Sequence, residues 1–158
     1  MSPQLLSARP ADVPAIASLW HAAWHDAHAL HVPPALLPHR QLPHFHALAL
    51  GQLSQLTLAW DGDQLAGFVG VDEDELERLF VAPHARGTGS ADLLLAHGER
   101  MIAATFPRAY LIVLEANARA RRFYARHGWI DTGPFLEHAP IAGGTIPLQS
   151  CRYEKALT

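Results

Sequence analysis

The chain predicts a mixed α/β sheet with helices on both faces, and three observations carry that prediction. The second half alternates strand-like and helical segments: the apolar run Leu76–Val81, a glycine loop, a helical pattern, then the continuous apolar run Tyr110–Leu114. A strand–helix–strand crossover brings its two strands parallel. The first half holds a meander, Leu56–Trp60, Leu65–Val71 and Leu76–Val81, with Asp61-Gly62-Asp63 and the acidic stretch Asp72–Glu75 as its turns, which adds antiparallel strands. The 158 residues are 49% hydrophobic and 17% charged, without an internal repeat or a linker, and this suits a single domain over residues 1–158 with a real core.

The elements follow in order. Gln4–Ala8 reads as a short first strand. A helix is expected from about Ala11 to Leu30, with Asp12 and Pro14 favouring its first turn and Val13, Ile16, Ala17, Trp20 and Trp24 forming an apolar stripe. Pro33, Pro34, Pro38 and Pro43 break the chain before a second, shorter helix over Phe45–Leu53. After the glycine loop, Ala91, Leu94, Leu95, Gly98, Met101 and Ile102 mark one helical face, and Pro107 ends it. Tyr110–Leu114 reads as a strand buried on both faces. Asn117 is a good N-cap for the next helix, whose Ala120, Phe123, Tyr124 and His127 share a face, with Gly128 as a left-handed C-cap. Trp129–Thr132 begins another strand, Pro134–Pro147 reads as a Gly- and Pro-rich loop, and Leu148–Lys155 closes the chain as a strand.

Bulk properties narrow the function. A formal net charge of −3 gives no electrostatic case for nucleic acid or an anionic membrane. No apolar run reaches the roughly 18 residues of a membrane span, and no basic region followed by an apolar stretch opens the chain, so a cytoplasmic protein is expected. The one cysteine, Cys151, excludes an internal disulfide framework and reads as a small core residue.

The loop Arg86-Gly87-Thr88-Gly89-Ser90-Ala91 opens a helix after a strand. A helix N-terminus presents unpaired N–H groups and a positive dipole end, glycines let an anion reach the backbone, and an arginine adds a charged fork. The loop therefore suits phosphate. It equally suits a tight strand-to-helix turn with an exposed arginine. It is neither a Walker loop nor the Gly-x-Gly-x-x-Gly of the dinucleotide fold.

A second segment, Asn117 through Trp129, follows the buried strand. Together the two segments resemble the GCN5-related N-acetyltransferase (GNAT) superfamily. The cofactor segment of that family, Val-x-Pro followed by Arg/Gln-x-x-Gly-x-Gly/Ala opening a helix, is matched by Val81, Pro83, Arg86, Gly89 and Ala91. Its later Asn and Phe-Tyr-x-x-x-Gly-Phe-like helix end are matched by Asn117, Phe123, Tyr124, Gly128 and Trp129. The likeness is good over about Leu65–Thr132. Ser90 stands where Ile or Leu is usual, and Ala91 where Gly is commoner.

The resemblance implies a mostly antiparallel sheet with one splayed parallel pair, and an acetyl-CoA-dependent N-acetyltransferase acting on a primary amine of a small molecule or peptide by direct attack in a ternary complex. It implies that N–H groups from Arg86 through Gly87, Thr88, Gly89 and Ser90 to Ala91 cradle the CoA pyrophosphate, with a hydroxyl donated by Thr88 or Ser90. Leu79, Phe80 and Val81 would pair with the pantetheine arm, a bulge there opening a V-shaped slot against Tyr110–Leu114. The N–H of Phe80 or a neighbour would polarise the thioester carbonyl. Asn117 would contact pantetheine or order a water, besides capping its helix. Tyr124 would protonate the departing thiolate, or else pack in the core. Glu77 is the base candidate with Glu115 second, and either could instead bind a cationic substrate.

Other residues are weighed and left outside that site. His21, His25 and His28 have helical spacing that can bind zinc, but no Cys or Glu completes a set, and no metal is expected. One of these histidines, or His44 or His46, could contact substrate or act as base. Arg119, Arg121 and Arg122 read as a solvated helix face from which one could approach the CoA 3′-phosphate. A catalytically silent CoA-binding regulatory or interaction module is the rival reading. A toxin-type enzyme acting on aminoacyl-tRNA is disfavoured by the net acidity. A homodimer is expected only by analogy.

Overall fold

In the computed structural model, which describes residues 2–157, seven strands form one sheet in the order β1-β2-β3-β4-β5-β7-β6. The strands are β1 (Gln4–Ser7), β2 (Leu56–Asp61), β3 (Gln64–Asp72), β4 (Glu75–Val81), β5 (Arg108–Leu114), β6 (Ile130–Ile141) and β7 (Gly144–Ala156). Every neighbouring pair is antiparallel except β4 and β5. The helices are α1 (Val13–His28), α2 (Leu42–Gly51), α3 (Ser90–Ala103) and α4 (Ala118–Arg126).

Strand alternation sorts the core into two layers. On one face Phe68, Leu56 and Leu58 pack with Val13, Ile16, Ala17 and Trp20 of α1 and Phe45 and Ala49 of α2. On the other, Val69 and Leu76 pack with Leu94, Leu95 and Ile102 of α3, and the cluster continues through Leu111, Val113, Tyr124 and Cys151. The helix α1 is shorter than expected because a 3-10 turn, Pro10–Asp12, takes its first residues. Helix α2 starts earlier, at Leu42, since Pro43 is tolerated in a first turn. Met101 sits at the margin of the α3 stripe and is half-exposed.

Two expectations fail. Pro134–Pro147 is no loop: β6 and β7 form a long hairpin turning between Ile141 and Gly144. Its prolines are tolerated because β6 is the sheet edge, while Pro147 precedes the part of β7 that pairs with β5, which begins at Ser150. The strand β5 is not sealed on both faces either. Ala109, Leu111 and Val113 are buried, but Tyr110 and Ile112 are only half-buried, and a cleft runs along the strand from Leu111 to Leu114.

That cleft comes from a bulge. Gly70 faces Arg78 and Val71 faces Leu76, so Glu77 is an extra residue in β4. Beyond it β4 and β5 share a single pair, Glu75 with Tyr110. The apex is pinned by Tyr110 N–H donating to the Asp74 carbonyl at 3.0 Å and the Tyr110 hydroxyl donating to Glu75 Oε1 at 3.3 Å. The bulge lies two residues ahead of the Leu79–Val81 segment where it was expected.

Candidate active site

The gap between β4 and β5 opens into a cavity of about 730 Å³ that runs from the glycine loop to the α1–α2 face. Leu79, Phe80 and Val81 line one wall and Leu111–Leu114 the other, with Asn117 and Tyr124 beside them. The β3–β4 register decides which main-chain groups face the gap. Ala82 N–H donates to the Ala66 carbonyl at 2.8 Å, and Phe80 lies opposite Phe68 in the same phase. Antiparallel pairing alternates, so Phe80 turns its N–H to β3, while Leu79 and Val81 turn theirs, and their carbonyls, toward the gap. Of the expected donors, Phe80 N–H or a neighbour's, it is the neighbours' that face the gap. Gly67 lets β3 come this close: a Cβ there would lie 2.6 Å from the Phe80 carbonyl oxygen.

At the mouth, Gly87 and Gly89 take φ of +75° and +87°, which side-chain-bearing residues rarely adopt, and a Cβ on either would stand in open space at the cavity entrance. The first-turn N–H groups of α3, Ser90 to Asp92, have no carbonyl within the helix. This is the cradle an anion needs. The hydroxyls are spent elsewhere. Thr88 Oγ1 donates to the Ala85 carbonyl and lies 2.9 Å from Ser90 Oγ, and Ser90 is 2% exposed. Neither lines the cavity, so the loop offers backbone rather than hydroxyls.

Arg86 is held by Asp26 from the last turn of α1, and Asp26 also meets Arg119 at 3.5 Å. The hydrogen bond from Arg86, then the charges of both arginines, hold the Asp26 carboxyl below its ordinary range. Asn117 Oδ1 accepts from Ala120 N–H at 3.2 Å, the expected cap, while the residue also borders the cavity. Tyr124 is buried at the end of the gap, and burial pushes its phenol well above the usual value. Of the arginine run, Arg119 and Arg122 face the cavity; Arg121 instead braces Tyr153, Asp131 and the Glu115 carbonyl.

The far end of the cavity is polar within an aromatic shell of Trp20, Trp24 and Phe45. Glu77, carried into it by the bulge, pairs with Arg78 at 3.3 Å, and Arg78 lies over the Trp20 ring at 5.3 Å. Arg40, His28, His44 and Glu137 join them. Burial, then nearby Arg40 and Arg78, keep His44 below its usual value, and burial takes His28 down to about 4. Both rings are therefore neutral near pH 7. Glu115 is exposed outside this cavity, which removes the second base candidate. The zinc spacing of α1 does not converge: the His25 ring hydrogen-bonds the Arg40 carbonyl at 2.6 Å while His28 faces the cavity. Among the described residues no group of three or more His, Cys, Asp or Glu could hold a metal ion, and no helix is long and apolar enough to cross a membrane. Arg40, Arg78 and Glu137 escaped sequence reasoning. They come from an irregular segment and two strands, with no shared spacing to betray them.

Fold and site together describe a split sheet with a long cavity between β4 and β5 and unpaired helix N–H groups at its mouth. The profile of the acetyltransferase (GNAT) domain matches residues 44–143, well over half of the chain, and the chain belongs to that family. Solved structures agree on the fold. A GCN5-related N-acetyltransferase from Rhodopseudomonas palustris matches with TM-score 0.79 and 20% identity, covering 99% of this chain and 96% of that one. The PaiA N-acetyltransferase of Thermoplasma acidophilum, solved with coenzyme A, matches with TM-score 0.75 and 16% identity over 99% of both chains. A ribosomal-protein-alanine N-acetyltransferase from Brucella melitensis matches with TM-score 0.72 and 18% identity over 97% of this chain and 99% of that one. Comparison with curated proteins returns no match.

Proposed function

We propose that this chain transfers an acetyl group from acetyl-CoA to a primary amine. The observation that carries the reading is the β4–β5 gap, which is held by one strand pair at its apex and has the unpaired N–H groups of the α3 N-terminus at its mouth. Backbone from Arg86 to Ala91 would hold the pyrophosphate, and the turned-in groups of Leu79 and Val81 would pair with pantetheine. Bound acetyl-CoA supplies the activated acyl carbon.

Direct attack is favoured because the cavity lacks a free nucleophile among its described residues. Cys151 is buried in β7, does not border the cavity, and has its thiol pushed up by burial. The amine nitrogen bonds to the acetyl carbon as the C–S bond breaks. Glu77, oriented by Arg78, takes the amine proton, directly or through water. Leu79 or Val81 N–H steadies the carbonyl oxygen. Tyr124, kept protonated by its dry surroundings, is the donor for the departing thiolate.

Calorimetric titration with acetyl-CoA, followed by thiol release over an amine panel, tests this. The expected result is one-to-one binding and amine-dependent thiol release. Binding without release over the whole panel would establish the silent module, and no binding would overturn the reading altogether.

A further inference from the structure

The acceptor end of the cavity holds a buried charge that no carboxylate touches, Glu137 acting on it only from beyond contact distance. Arg40 is only 6% exposed, yet it hydrogen-bonds two backbone carbonyls, His39 at 3.0 Å and Pro140 at 2.7 Å, and meets no carboxylate within 4.0 Å among the described residues. A guanidinium has five N–H donors, and neutral carbonyls do not cancel its charge. Arg78 stands in the same cavity with its Nε buried and without a hydrogen-bond partner. The two like charges are close enough to depress one another's neighbourhood, since both disfavour protonation of His44. Of the two carboxylates there, Glu77 is held by Arg78, and Glu137 accepts from Ser150 Oγ at 3.2 Å.

Resting on the acetyltransferase reading above, we propose that the acceptor is an aminocarboxylate, an amino acid or a close analogue, whose carboxylate is taken by Arg40 and Arg78 while its amine faces Glu77. Guanidinium forks match a carboxylate geometrically. The charge balance also favours it. Once Glu77 accepts the amine proton, Arg78 loses its partner, and two cations face only Glu137. A carboxylate on the acceptor restores neutrality around Arg40, which is almost fully buried. The aromatic shell of Trp20, Trp24 and Phe45 makes an apolar side chain the natural companion.

The test compares kcat/KM for L-leucine and L-phenylalanine with that for their amides and for isoamylamine and phenethylamine, in wild type and in Arg40→Gln, Arg40→Lys and Arg78→Gln. Acetyl-CoA affinity is measured for each protein. The acids should exceed their neutral counterparts by at least about tenfold. Either glutamine variant should collapse that ratio with acetyl-CoA affinity unchanged, and Arg40→Lys should recover part of it. Equal rates for acids and neutral amines, or inert acids with acetyl-CoA still bound, would overturn the proposal and leave the cofactor reading standing. Loss of acetyl-CoA binding by wild type would instead remove the reading beneath it. Should Arg40→Gln fail to fold, the wild-type ratio and Arg78→Gln decide alone.

Discussion

The two ends of the cavity are built by different means. The cofactor end is largely backbone: Gly87, Gly89 and the first turn of α3 at the mouth, and Leu79 and Val81 along the wall. The acceptor end is side chains drawn from the Pro34–His39 turn's exit, α1, α2, β4 and β6, as Arg40, His28, His44, Glu77 with Arg78, and Glu137. Backbone recognition needs contiguous residues with special conformations, so it leaves a motif. Side-chain recognition needs only that distant residues converge, so each one can change alone.

Tyr124→Phe probes the border between the two ends and should have the largest effect. If the phenol protonates the leaving thiolate, kcat should fall on the order of a hundredfold while acetyl-CoA affinity by calorimetry stays put. A matching loss of affinity would move Tyr124 into the cofactor end as a packing residue. Because its phenol is held far above its usual value, no limb of the pH–rate profile below about pH 10 should belong to it.

Arg86→Glu addresses the cofactor end alone. Loss of a charge-assisted contact to phosphate, with repulsion in its place, should weaken acetyl-CoA by tens of fold, leaving the order of preference among amines as it was. Unchanged affinity would mean that the glycine loop is only a turn.

His28 belongs to the acceptor end and should appear in stability. Its folded value of about 4 lies below the ordinary 6.5, so the unfolded chain binds its proton first as pH falls. Its contribution is complete above about pH 6.5 and is lost between there and about pH 4, on the order of 2 kcal/mol once partial exposure is allowed for. Denaturant titrations of His28→Gln should give a flatter stability profile over that window. Parallel profiles for both proteins would show that the ring is solvated.

The same division explains how far the sequence could be read. The meander, the crossover and the cap at Asn117 were legible because each is a local pattern: alternation, an apolar run, an Asn before a helix. The β6–β7 hairpin was not, because Pro134, Pro140 and Pro147 signal a loop, and only the edge position of β6 makes them harmless. The glycine loop was legible as a strand-to-helix turn with left-handed glycines before α3. What Thr88 and Ser90 do in it was not, because the choice between bonding a ligand and bonding the Ala85 carbonyl is made by geometry. Arg40 was the least legible of all. Its importance lies in burial without contact to any carboxylate, which only a folded cavity can reveal.

Asp26 ties α1 to the mouth of the cavity. It leaves the last turn of α1 and holds both Arg86 and Arg119 across the mouth. An anion entering the glycine loop must share Arg86 with it, so the carboxylate competes with phosphate for the same guanidinium. The pair is exposed, with side chains 38% and 47% accessible, and such pairs are worth at most about 1 kcal/mol. Asp26→Asn should therefore tighten acetyl-CoA by no more than about fivefold, the smallest effect here. The gain should shrink as salt is raised, because screening weakens the repulsion it removes. Weaker binding by Asp26→Asn would reverse the assignment: Asp26 would then position Arg86 for the phosphate, and the cofactor end would depend on a side chain of α1 after all.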